Sequence, residues 1–219
     1  MSKTMPLQNR VTPWGEIIAH QARGLFTGNR GVLVDRPYCL ARRRWTSQAW
    51  LVCALEFRDW WRPVMQPHTW TELFFFDEVV ALAAGHRPCA TCRRDRFNEF
   101  RDRAVATLNM SKLLAPQLDA RLHEARIIGR SAPKRIHVAR VDEVPDGTFV
   151  LLPGDAATAC LVWRRRLYPW SPAGYASPLS SLSSGSVAVL TPLLTMNVLG
   201  TGYRPDVHPG LRCLATVAR

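Results

Sequence analysis

Two cysteines two residues apart, Cys89-Ala-Thr-Cys92, follow a segment that spells strand, helix and stop in quick succession. Leu73 to Phe76 is a compact apolar run suited to a buried strand. Asp77 stands where an N-cap belongs, and Glu78 to Ala84 are mostly good helix formers. Gly85 supplies a left-handed C-cap, and Pro88 then forbids the helix to continue. Cysteines at this spacing on a tight turn aim two sulfurs at one metal ion. Zinc takes four such ligands in a tetrahedron, so Cys89 and Cys92 form half a site. A thioredoxin-type dithiol would need a strand running directly into the motif and a long helix leaving it. The separate short helix ending at Gly85 argues for metal instead.

The run from Phe74 to Arg94 resembles the second half of the zinc-binding domain of Ada-type DNA repair proteins. It shares the aromatic residues, the acidic helix start, the Ala-rich helix, Gly85-His-Arg-Pro-Cys-Ala-Thr-Cys92 and the basic residues that follow. Asp35-Arg-Pro-Tyr-Cys39, followed by Arg42-Arg43-Arg44, resembles the family's first ligand element with its first cysteine replaced. In that family the first cysteine accepts a methyl group from a DNA phosphotriester. Asp35 in its place implies a metal scaffold without that repair chemistry. Cys39 and Cys89 also stand 50 residues apart, farther than in the family. The resemblance adds Cys39 to Cys89 and Cys92 as an expected ligand. The fourth place is open to Cys53, Asp35, His86 or His68, with Cys53 placed first because thiolates dominate structural zinc sites. The chain as a whole also resembles members of a bacterial family, which adds no function to this reading.

The net charge is +12, and only three of the 29 basic residues are lysine, the rest arginine. Codon bias accounts for arginine in place of lysine but not for the surplus of charge. Guanidinium groups bind phosphate as planar forks and stack on bases, so the balance points to nucleic acid. Arg42, Arg43 and Arg44 lie beside Trp45, and Arg93, Arg94 and Arg96 follow Cys92. If Cys39 and Cys92 share a metal, these two blocks form one positive surface, with Trp45 as a base-stacking candidate. A third block, Arg164 to Arg166, reads as the outward face of a strand. The other tryptophans of the 45–70 region read as core or edge, with Trp50 and Trp70 inside.

The expected fold class is α+β, with a zinc-knuckle-bearing N-terminal lobe and a mostly β C-terminal lobe. Residues 1–15 read as a flexible arm, 16–130 as the zinc-binding lobe and 131–219 as the β-rich lobe, or the two lobes as one continuous domain. The Gly24–Gly31 run lacks the Gly-Lys-Ser/Thr ending of a phosphate-binding loop and reads as a turn into a strand at Val32 to Val34. Trp50 to Phe57 reads as a central strand. Arg93 to Leu108 reads as a helix with Phe97, Phe100, Ala104 and Leu108 inward, and a second helix opens at Pro116. Strands are expected at 136–141, 148–152, 159–167 and 186–190, a flexible serine-rich loop at 171–185, a helix after Pro192 and an edge strand at 211–217.

No catalytic constellation stands out. There is no His-Glu-x-x-His, no nucleotide fingerprint and no grouped carboxylate signature. The sequence therefore describes a zinc-stabilised nucleic-acid-binding protein, DNA ahead of RNA. The alternative is an enzyme acting on nucleic acid or nucleotides with the zinc site as scaffold. The start of the chain has no apolar h-region, no run is long enough for a membrane span, and the six cysteines suit a reducing compartment. The expected location is the cytoplasm, without a membrane partner.

Overall fold

The computed structural model describes residues 5–61, 63–128, 134–152, 154–181 and 185–217. The expected lobe boundary at 130–131, the first four residues of the expected arm and residues 182–184 of the serine-rich loop lie outside them. The fold is α+β. In chain order the N-terminal half has β1 (Gln8–Val11), β2 (Ile17–Ala19), β3 (Phe26–Asn29), β4 (Val34–Arg36), β5 (Cys39–Leu40), β6 (Leu51–Cys53), β7 (Leu73–Phe75), α1 (Glu78–Ala83), β8 (Arg87–Pro88), α2 (Arg94–Thr107) and α3 (Ala115–Arg126). The second half has β9 (His137–Arg140), β10 (Phe149–Leu152), β11 (Asp155–Trp163), β12 (Arg166–Ser171), β13 (Gly174–Tyr175), β14 (Leu179–Ser181), β15 (Ser186–Val189), α4 (Leu193–Gly200) and α5 (Pro209–Val217).

The first sheet has the order β2-β1-β7-β3-β6-β8, with parallel pairing at β1–β7 and β6–β8. The second, all antiparallel, runs β13-β12-β11-β10-β15-β9, with β14 also on β12. β4 and β5 form a separate ribbon. Helix α1 lies between these layers. Its residues Glu78 to Ala83 are all buried. Ala81 packs with Val11, Val52, Leu73 and Phe75 of the first sheet. Val79, Val80 and Ala83 pack with Phe149, Leu161 and Tyr168 of the second. Leu82 joins Phe100, Leu118 and Leu122 of α2 and α3, together with Val198 of α4. A helix that is apolar all round must be covered all round. These shared cores cross the expected division between two lobes.

Several expectations need correction. Residues 8–11 are an interior strand, with Asn9 and Val11 buried, and not part of a loose arm. The glycine-rich run contains β3 itself. Gly28 is required there, because a Cβ would lie 1.9 Å from the Leu51 carbonyl oxygen across the sheet. The expected strand at 159–167 is a hairpin whose turn is Arg164-Arg165, both with positive φ (49° and 59°). The serine-rich loop contains β13 and β14. Residues 209–217 are helical: Leu211, Leu214 and Ala215 share one face, and Pro209 opens the first turn. Trp50 is buried as expected, but Trp70 is 55% exposed.

Candidate metal centre and cationic cavity

The cysteine site is assembled by one parallel strand pair. Val52 of β6 sits opposite Pro88 of β8, and the Cys89 amide donates to the Val52 carbonyl at 2.9 Å. This places the knuckle turn beside Cys53 at the end of β6. The Arg93 amide then bonds the Cys89 carbonyl at 3.1 Å and leads into α2. The Sγ atoms of Cys53, Cys89 and Cys92 all lie within 4.8 Å of one another. A tetrahedron with bonds near 2.3 Å spaces its sulfurs by roughly 3.8 Å, so a metal ion fits with little closure.

The surroundings favour the anion at one sulfur, Cys89, while Cys53 and Cys92 are pushed up. The Thr91 amide points at Cys89 Sγ from 3.4 Å, and the Ala54 amide serves Cys92. The positive N-terminal end of α2 begins directly after the motif. Thiol hydrogen bonds from Cys53 and Cys92 push the Cys89 thiol far down. The same contact with Cys89, followed by the one with Cys92 and by burial, pushes Cys53 far up. Three adjacent thiols cannot all ionise without a cation between them. The set can therefore hold a metal ion.

The other proposed ligands sit elsewhere. Cys39 is exposed on β5, with its sulfur 3.9 Å from the Arg36 guanidinium. Asp35 pairs with Arg43 on the outer ribbon. His86 is fully buried and its Nε2 accepts from Arg30 Nε at 3.1 Å. His68 lies on the loop before β7 and is not part of the sulfur cluster. Cys160 is buried in β11, and Cys213 is exposed on α5.

The two basic blocks have different fates. Arg93 is buried, 3.0 Å from Glu78 and 2.9 Å from Asp206. Arg96 reaches Glu99 at 2.6 Å and Glu78 at 3.4 Å. Arg94 alone of the three faces solvent. Arg42, Arg43 and Arg44 are exposed instead, and they line the rim of a cavity of about 550 Å³. Its inner wall carries Arg30, Arg126 and Lys134. Trp45 and Trp50 line it too. Both the Arg30 and Arg126 guanidiniums lie over the Trp50 ring, at 3.9 and 4.1 Å, while Trp45 stands edge-on to His123 at 4.5 Å.

Arg30 and Arg126 are each 1% exposed, and no carboxylate lies within ion-pair distance of either or of Lys134 among the described residues. Arg30 donates to His86 and, at 2.8 Å, to the Gly15 carbonyl, and Arg126 donates to the Gly85 and Gln48 carbonyls. Arg30 Nη2 and Arg126 Nε have no partner among the described residues. Lys134 donates to the Pro13 and Ala83 carbonyls. Burial, then the charges of Arg126 and Arg44, holds Arg30 well below the usual guanidinium range. Burial brings Arg126 to about 9, and burial with repulsion from Arg30 lowers Lys134 well below an ordinary ammonium. Nothing in the sequence singles out these cations, because they sit 96 and 8 residues apart and no spacing joins them. Glu16, exposed at the rim, is the carboxylate that lines this cavity.

No protein-family model matches the chain, and no curated protein and no solved structure is significantly similar to it. Among the described residues, no helix is long and apolar enough to cross a membrane.

Proposed function

We propose that the chain is a zinc-stabilised nucleic-acid-binding protein that takes phosphate groups at the cationic cavity and its Arg42–Arg44 rim. The observation that carries this reading is a positive wall without a direct ion pair. Two buried guanidiniums and the Lys134 amine face one space with no ion-paired carboxylate among the described residues, an arrangement whose desolvation an incoming anion relieves. Zinc is the metal assigned, because three cysteine sulfurs within 4.8 Å of one another suit it better than oxygen-seeking cations. Its role is structural. It staples β6 to the start of α2, and the fourth ligand comes from outside the three-cysteine group. DNA is placed ahead of RNA on the resemblance of the Cys89–Cys92 element to the Ada-type domain. Among the described residues the cavity gathers cations around one rim carboxylate, which suits binding rather than metal-assisted hydrolysis.

The test is oligonucleotide binding across a salt series. Affinity falls with salt. Arg42→Glu with Arg44→Glu flattens that slope by about one for each phosphate no longer neutralised, for all sequences alike. Trp45→Ala weakens single strands more than duplex. The reading is wrong if no binding is seen at low salt with folded, metal-loaded protein.

A further inference from the structure

We propose that the inner wall of the cavity is a receptor for a phosphate monoester at the end of a nucleic-acid strand, so that the protein is an end binder and not a groove binder. This rests on the nucleic-acid reading and sharpens it. Depth is the first reason. Arg30 and Arg126 are each 1% exposed. A phosphodiester inside a continuous duplex stays on the outer surface and reaches only the exposed rim of Arg42 to Arg44. Only a chain end, or a splayed terminal nucleotide, brings a phosphate to the wall.

The donor inventory is the second reason. Among the described residues, Arg30 Nη2 and Arg126 Nε find no hydrogen-bond partner; both atoms are themselves buried, so a phosphate meets them only once the side chains turn toward it. Lys134 uses two of three ammonium donors on the Pro13 and Ala83 carbonyls and retains one. Turned toward the cavity, these donors suit an acceptor that carries several terminal oxygens on one atom. A monoester offers three such oxygens and a charge near −2, against two oxygens and −1 for a diester. The two guanidiniums, with Lys134 able to take up a proton beside a bound anion, balance a dianion better than a single negative charge. A volume of about 550 Å³ lies within the ligand-pocket range, with room for the attached nucleoside beside Trp45.

Neutral His86 is the third reason. Burial, and then the charges of Arg30 and Arg126, keep this imidazole uncharged, so its Nε2 accepts from Arg30 and fixes the guanidinium. The Arg30 fork is thereby held in place before a ligand arrives, which lowers the cost of ordering it.

The experiment measures binding of one labelled single strand in three forms: 5′-phosphorylated, 3′-phosphorylated and hydroxyl at both ends. It uses the full metal-loaded chain at fixed ionic strength. One phosphorylated form is expected to bind about tenfold tighter or more than the hydroxyl form. Lys134→Met is expected to remove that preference. Because this substitution perturbs a partly buried position, thermal stabilisation of the unaltered protein provides a second measure. A nucleoside monophosphate should raise the melting temperature more than the nucleoside in matched chloride. Equal binding of phosphorylated and hydroxyl strands overturns the end-receptor proposal and leaves nucleic-acid binding standing. Stabilisation by the monophosphate without binding of any strand overturns the nucleic-acid reading and makes a free nucleotide the ligand. Absence of both effects removes the phosphate site altogether.

Discussion

The Arg93 guanidinium lies 3.0 Å from the Glu78 carboxylate, which is fully buried at the start of α1. Glu78 also accepts from the Tyr203 hydroxyl at 2.7 Å and the Asp206 amide at 2.7 Å. One carboxylate thus joins the helix after the cysteine knuckle to the loop that follows α4. It also explains why a basic run beside a metal motif is not free for phosphate. Glu78→Gln leaves two guanidiniums facing a neutral amide and should cost roughly 3–5 kcal/mol, read as a lower urea midpoint. Arg94→Ala, at the exposed position of the same run, should leave stability within about 0.5 kcal/mol. If the two variants have equal midpoints, the ion-pair assignment is wrong.

The metal ligands can be tested residue by residue. Cys53→Ser, Cys89→Ser and Cys92→Ser should each lower the metal content of the purified protein and its stability. Cys39→Ser should leave one metal per chain, because Cys39 lies outside the sulfur cluster. Elemental analysis decides between this set and one that includes Cys39.

Why the cysteine trio is only partly legible in the sequence follows from the distances along the chain. Cys89 and Cys92 are local, and the intervening turn brings them together. Cys53 depends on β6 pairing with β8 across more than thirty residues, which no local spacing reveals. Helix α1 is legible because each signal agrees: Asp77 accepts from the Val80 amide at 3.1 Å, and Gly85 has φ 93°. The Arg164-Arg165 turn is not, because two arginines in left-handed conformations carry none of the Asn-Gly chemistry that marks such turns. Helix α5 reads as a strand because it is short, and its apolar face shows only once Leu211 and Ala215 dock against the core. The cation cavity depends on three residues from separate parts of the chain, and single arginines carry no periodicity.

Asp77 should impose a pH dependence on folding. Burial raises its carboxyl from 3.8 to about 6, against the lowering effect of hydrogen bonds from the His208 amide, the Tyr175 hydroxyl and the Val80 amide. The folded state therefore holds a proton that the unfolded chain has already lost between pH 4 and 6. This contribution is full below pH 4 and disappears as pH rises through about 6, a change of about 3 kcal/mol. Denaturation from pH 4 to 7 should show the unaltered protein losing stability relative to Asp77→Asn. A constant difference across that range would remove Asp77 as the cause.

The β11–β12 hairpin offers a stabilising substitution. Arg164 and Arg165 adopt positive φ without the freedom of glycine or asparagine. Replacing them with Asn and Gly should raise stability by about 1 kcal/mol, seen as a higher melting temperature, and leave the proposed nucleic-acid binding unchanged because the turn is not among the cavity's walls.

Gly85 couples the backbone to the cavity. It caps α1 at φ 93°, and a Cβ there would lie 2.7 Å from Cδ of Arg126. Its carbonyl accepts from Arg126 Nη1 at 2.9 Å. Gly85→Ala therefore imposes a left-handed alanine, costing about 1 kcal/mol or more, and also displaces a guanidinium from the inner wall. Two readouts should move together: a lower urea midpoint, and weaker binding of strands at a temperature where the variant remains folded. A change in stability with full binding affinity would mean that Arg126 does not contact the ligand.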